Sequence, residues 1–150
     1  MRGLILAVGS LLLAATALGG QTATKGKTGT LKVVVTGMEK AEGSLKIALN
    51  NSLENYKSRE DGKAFRGASV KVDSQEKMVH TFKDVPWGEY AVKLFHDANN
   101  NGKLDTNFLG MPKEDYGFSN NVRGRFGPPA YDKAKFEFSH EMQEIAIQVR

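Results

Sequence analysis

Tyr90-Ala91-Val92-Lys93-Leu94-Phe95-His96-Asp97 alternates large apolar side chains with a second set of residues at a period of two. On an extended chain that period puts Tyr90, Val92 and Leu94 on one face and Ala91, Lys93 and Phe95 on the other. A helix would scatter both sets around its axis, so this stretch predicts a strand with one strongly buried face. The strand delivers His96 and Asp97 to its end, where the apolar pattern stops.

The same period recurs on both sides. Leu31, Val33 and Val35 alternate with Lys32, Val34 and Thr36 until Gly37 ends the run. Leu45, Ile47 and Leu49 then alternate with Lys46, Ala48 and Asn50, close enough to pair with the preceding strand as a hairpin. Val70 and Val72, and Lys77 to Phe82, suggest two further short strands before Asp84-Val85-Pro86-Trp87-Gly88, which proline and glycine mark as a turn. Phe136 and Phe138, then Ile145, Ile147 and Val149, close the chain in the same manner. The segment from Asn51 to Gly67 is polar, with Tyr56 and Phe65 as its large apolar anchors, and reads as a loop or short helix. With about seven short strands and no long amphipathic helix, the expected fold is all-β, a two-sheet sandwich of the immunoglobulin or prealbumin kind. One long irregular loop, rich in glycine, proline and aromatics, is expected over 106–133.

At the N-terminus, Arg2 precedes an apolar run from Leu4 to Leu13 and small residues ending in Ala15-Thr16-Ala17. That order reads as a signal peptide over 1–20, with cleavage after Ala17, Gly20 or Ala23. The run is shorter than the roughly 20 apolar residues of a membrane span. The expectation is therefore a periplasmic or secreted protein with no membrane span after cleavage. Residues 21–29 lack apolar content and read as a flexible leader, leaving 30–150 as one sandwich domain. With no cysteine in the chain, an oxidising compartment cannot staple this fold. Loss of Arg2 lowers the formal charge from +4 by one, with both signs interspersed. A nucleic-acid binder gathers its Lys and Arg on one face, so nucleic acid is excluded as a partner.

The sharpest chemical pattern is Asp97-Ala98-Asn99-Asn100-Asn101-Gly102-Lys103-Leu104-Asp105, an instance of D-x-N-x-N-G-x-x-D. Calcium takes about six to eight oxygens, and alternate residues of such a loop supply them. The expected ligands are Asp97, Asn99, Asn101, Lys103 through its carbonyl, and Asp105, with Gly102 allowing the sharp turn and Leu104 pointing into the core. Glu114 or Asp115 is the candidate for a missing ligand. Phe108 stands where an EF-hand requires a bidentate glutamate, and a strand leads in, so the loop is closer to the shorter calcium loops between β-strands of extracellular proteins. Two carboxylates only balance the ion, which implies a dissociation constant near the roughly 10⁻⁴ M of extracellular modules. Asn101-Gly102 equally suits a tight hairpin turn with no ion.

Phe108, Tyr116, Phe118, Phe126 and Tyr131 crowd the irregular segment. Such rings either cover an open end of the sandwich or form a ligand surface. On the second reading Tyr116 or Phe118 stacks on a sugar or peptide while Asn120, Asn121, Arg123 or Arg125 hydrogen-bonds it, leaving a carbohydrate or a protein of the envelope as the partner.

His96-Asp97-x-Asn99-x-Asn101-Gly102-x-Leu104-Asp105, Gly110-Met111-Pro112-x-Glu114, Gly117-Phe118-Ser119-Asn120-Asn121 and Phe126-Gly127-Pro128-Pro129 follow one another in that order. Together they resemble an exported bacterial family catalogued as domain of unknown function number 2141, from about Leu31 to the C-terminus. That resemblance implies no activity. Phe82 to Val92 separately resembles the strand-turn-strand of prealbumin-like and carboxypeptidase-regulatory-like sandwiches, which are mostly non-catalytic modules. Catalytic residues are not expected: Ser119, His96 and Asp97 make an awkward triad because neighbours on a strand point to opposite faces. The spacing of His80, His96 and His140 suggests no zinc site. The function expected is that of a structural or ligand-binding envelope module carrying calcium. The alternative is a small periplasmic hydrolase using carboxylates such as Asp97 and Glu114.

Overall fold

A computed structural model describes residues 26–59 and 62–150. The expected signal peptide, its cleavage sites and residues 21–25 of the leader lie outside the described residues. Among those described, the chain forms strands β1 (Thr28–Thr36), β2 (Ser44–Asn50), β3 (Arg66–Lys71), β4 (Met78–Pro86), β5 (Gly88–Asp97), β6 (Tyr116–Phe118), β7 (Phe136–Phe138) and β8 (Met142–Gln148). Two short helices join them, α1 (Leu53–Lys57) and α2 (Tyr131–Ala134). Among these residues no helix is long and apolar enough to cross a membrane.

The strands make two sheets packed face to face. One has the order β4-β1-β8, and the other β3-β2-β5-β6, with β7 also on β5. Alternation explains the core between them. Leu31, Val33 and Val35 of β1 look across at Leu45, Ile47 and Leu49 of β2 and at Tyr90, Val92 and Leu94 of β5, all buried in one cluster with Phe82, Val85, Phe138 and Ile147.

The hairpin expected between β1 and β2 does not form. β1 pairs antiparallel with β4 and parallel with β8, whereas β2 pairs with β3 and β5. The apolar faces of β1 and β2 meet across the core instead of lying side by side. Residues 37–43 are long enough to cover the roughly 10 Å between packed sheets, and buried Met38 draws that connection over the end of the sandwich. Pro86-Trp87-Gly88 is likewise a corner rather than a hairpin turn. Pro86 pairs with Thr28 in one sheet and Gly88 with Phe138 in the other, so Trp87 alone spans the switch. Because Thr28 and Gly29 pair with Pro86 and Val85, the end of the expected leader belongs to β1.

The segment 106–133 is also more regular than its composition suggests. β6 and β7 divide one edge of β5 between them, β7 at Gly88–Tyr90 and β6 at Lys93–Phe95. In the gap, the Val92 N–H donates to Ser119 Oγ at 2.9 Å, and that hydroxyl donates to the Ala134 carbonyl. Ser119 is thus a buried surrogate for ladder pairing, its hydroxyl taken by backbone.

On the outer face of this sheet Tyr56, Ala91, Phe118, Tyr131 and Ala134 form a second apolar cluster. The Tyr56 hydroxyl donates to the Pro129 carbonyl at 3.0 Å, and its ring meets that of Tyr131 at 5.5 Å. Burial pushes the Tyr56 phenol up to about 12. The folded state thus holds this proton beyond the pH, about 10, at which an unfolded tyrosine loses it. The stability contributed is fully present below that pH and is lost as pH rises through the folded value. Alkaline unfolding is expected to begin above about pH 10, and Tyr56→Phe should remove the latest step from an ultraviolet titration of tyrosinate. A titration whose last step survives that substitution would refute this assignment.

Candidate metal centre

β5 ends at Asp97, whose partner across the sheet is Ser44 at the start of β2. The carboxylate is 0% exposed. Its Oδ1 accepts the Asn101 N–H at 3.0 Å and its Oδ2 the Gly102 N–H at 2.9 Å. Lys46 Nζ stands 3.8 Å from the same Oδ2. The chain therefore folds back over its own first carboxylate, a reversal that needs left-handed backbone at Asn100 (φ 56) and Gly102 (φ 80).

Alternate residues of the loop then turn inward. Asn99 Oδ1 accepts the Asn101 N–H at 3.1 Å, and Asn101 Oδ1 accepts the Lys103 N–H at 2.8 Å. Both side-chain amides reach Asp105, Asn101 Nδ2 donating to Oδ1 at 2.9 Å and Asn99 Nδ2 to Oδ2 at 2.6 Å. These two donors hold the Asp105 carboxyl below the usual carboxylate range, Asn101 first, with Lys113 and Lys103 adding to the effect. The structure thus gathers Asp97, Asn99, Asn101 and Asp105. Lys103 enters through its N–H, and its side chain is exposed. Leu104 is only half-buried, not in the core, because the turn carries it to the rim.

Neither candidate for a missing ligand is spare. Glu114 clamps the loop from below, Oε1 accepting the Ala98 N–H and Oε2 the Asp105 N–H, each at 3.0 Å. Asp115 Oδ2 accepts the Glu39 N–H at 2.9 Å and lies 3.7 Å from His96 Nδ1. His96 is buried beside the loop, its Nε2 2.6 Å from the Glu42 carbonyl oxygen. A cleft of about 120 Å³ lined by Glu39, Lys40, His96, Ala98, Lys113, Glu114 and Asp115 lies there. A hydrolytic pair of Asp97 and Glu114 would need free carboxylates at such a cleft. All four of their oxygens accept backbone N–H groups, and Asp97 is sealed from it. Among the described residues no three His, Cys, Asp or Glu side chains gather as a metal-holding group, so what converges here is two carboxylates and two amides.

The aromatic surface expected at 116–125 is largely spent on the fold. Phe118 is buried in the second cluster and unavailable for stacking. Asn120 Nδ2 donates to the Lys133 and Lys135 carbonyls, tying down α2. Asn121 Nδ2 donates to the Ala146 carbonyl and its Oδ1 accepts the Gln148 N–H, which extends the edge of β8. Both asparagines have positive φ, a backbone that favours asparagine as a turn residue without any ligand. Tyr116 is half-buried with the Arg123 guanidinium 5.8 Å from its ring centre, and Arg125 stands over Phe126 at 5.6 Å.

Three contributors escape a reading of the sequence. Ser44 Oγ donates to Asn100 Oδ1 at 2.6 Å, Lys46 approaches Asp97, and Gly43 packs directly beneath Asp97 and Ala98. All three act through the pairing of β2 with β5, for which no local signal exists.

A family described as "Uncharacterized protein conserved in bacteria (DUF2141)" matches residues 33–146. The chain belongs to the DUF2141 family. The match runs from within β1 to within β8, so the DUF2141 unit contains both sheets, the loop at 97–105 and Glu114. No curated protein and no solved structure matches the chain.

Proposed function

We propose that this DUF2141 chain is a calcium-stabilised β-sandwich module of the bacterial cell envelope, with a structural or ligand-binding rather than catalytic role. The convergence of Asp97, Asn99, Asn101 and Asp105, with the Asp97 carboxylate wholly buried at the loop's base, supports this reading most strongly. Two carboxylates and two amides are hard oxygen donors, the set that calcium prefers. To ligate a cation, each amide would give up its bond to Asp105 and turn its oxygen from the Asn101 or Lys103 N–H that it now accepts toward the ion. The ion would then supply positive charge between Asp97 and Asp105 and rigidify the loop, and the Lys103 carbonyl and water would complete its shell. The N-terminal apolar run supports export, where millimolar calcium is met.

Thermal unfolding in chelator and then in calcium tests this. An ion held only by the folded state stabilises it by about 2.7 kcal/mol at 100 times its dissociation constant. For a chain of this size that is a rise in midpoint on the order of 10 °C. Asp105→Ala should abolish the rise. A wild-type midpoint indifferent to calcium would leave residues 97–105 as a bare turn.

A further inference from the structure

Asn101 is the one asparagine of the chain that glycine follows. The main-chain nitrogen after an asparagine can attack that side chain's own Cγ and close a cyclic imide, and a following glycine carries no Cβ to obstruct the approach. Nucleophile and target are joined by the chain, so the closure needs no encounter. No atom lies within 4 Å of where a Cβ on Gly102 would stand, and both residues are exposed, so the ring has room and water reaches it. The hydrogen bonds of the loop are aimed at the same step. The Gly102 N–H donates to Asp97 Oδ2 at 2.9 Å, which gives the attacking nitrogen a buried carboxylate to take its proton. The Lys103 N–H donates to Asn101 Oδ1 at 2.8 Å, where the negative charge of the tetrahedral intermediate develops. Asn101 Nδ2, the group that leaves, donates to Asp105 Oδ1 at 2.9 Å, so the side chain is kept in one rotation.

We propose that Asn101 deamidates itself in the folded chain and so gives the loop a third carboxylate. The Gly102 nitrogen bonds to Asn101 Cγ while its proton passes to Asp97 Oδ2, and the displaced electron pair rests on Oδ1 against the Lys103 N–H. As that pair returns, the Cγ–Nδ2 bond breaks and Nδ2 leaves as ammonia, taking the proton back from Asp97. Water then adds to Cγ and the ring nitrogen recovers a proton, which leaves a carboxyl at position 101 on an unchanged main chain. One water is consumed and one ammonia released, with no oxidant or reductant. Water adding to the other imide carbonyl would insert a methylene into the main chain, so opening at Cγ is the route that restores the Gly102 bond to Asp97. The consequence for calcium rests on the metal reading above. The number of charged ligands sets the affinity of such loops, so a third carboxylate tightens binding. Without the ion, the new charge replaces an amide that now donates to Asp105 and leaves that carboxylate facing a like charge.

The test keeps the full chain at neutral pH in chelator, folded and, in parallel, unfolded in guanidinium chloride, and follows peptides spanning Asn101-Gly102 by mass spectrometry. Position 101 should acquire the mass of an acid in place of an amide on the order of tenfold faster in the folded chain than in the unfolded one. Asp97→Asn should bring the folded rate down to the unfolded rate. Conversion that is slower folded than unfolded overturns the proposal, because the loop would then protect the amide. So does isoaspartate as the main product, which would make the change damage to the loop. The converted chain, and Asn101→Asp in its place, should bind calcium on the order of tenfold more tightly than the unconverted chain. Conversion with no calcium response in either form would uphold the modification and refute the metal reading on its own.

Discussion

Gly43→Ala is expected to destabilise the sandwich by about 3 kcal/mol or more and to remove the calcium response, although it alters no candidate ligand. Gly43 precedes β2 with φ +71, and a Cβ there would lie 2.2 Å from the Asp97 carbonyl oxygen and 2.6 Å from Ala98 Cα. Both neighbours are backbone at the end of β5, so neither can swing aside. Left-handed geometry costs an alanine about 1–2 kcal/mol by itself, and relieving the overlap must push β5 and β2 apart where Asp97 leaves the sheet. Urea unfolding with and without calcium measures both effects. A variant that kept the wild-type calcium response would show that the seat of Asp97 does not depend on this packing.

Asp97→Ala should cost about 2–3 kcal/mol even in chelator, because the penalty lies in donors left without acceptors rather than in the ion. The Gly102 N–H loses Oδ2, Lys46 loses its nearby charge, and the Asn101 N–H keeps only Asn99 Oδ1. Asp97→Asn retains one acceptor oxygen and should lose roughly half as much while still failing to respond to calcium. Denaturant midpoints in chelator separate the two substitutions. Equal losses for alanine and asparagine would mean that the carboxylate acts through its charge alone.

These expectations trace the boundary between what the chain spells out locally and what it does not. The strand faces were legible because each is a run of alternating residues, and the inward set of β1, β2 and β5 is the set read from the sequence. The loop 97–105 was legible because all its polar side chains are close neighbours in the chain. Sheet membership was not. An apolar face states which side is buried, but not whether its neighbour lies beside it or across the core, and the β1–β2 pairing failed on that ambiguity. The backbone partners of Ser119, Asn120 and Asn121 are hidden in the sequence for a related reason. Polar residues among aromatics look like a ligand surface until the backbone groups that need them, at Val92, Lys133, Lys135, Ala146 and Gln148, are brought alongside by distant segments. Glu114 stood out as a carboxylate near the loop, while its use as a clamp required knowing that Ala98 and Asp105 both face it.

The parallel pairing of β1 with β8 carries a consequence for the order of events in the chain's birth. β1 is the middle strand of its sheet, and Thr30 to Thr36 find one of their two neighbours in Met142 to Gln148. Until residues 142–148 are present, that sheet is missing an edge and the core beneath Ile147 is open. Contacts of such long sequence separation form late and slowly. This sheet is therefore expected to close last, β8 docking against a β1–β4 pair that can already form.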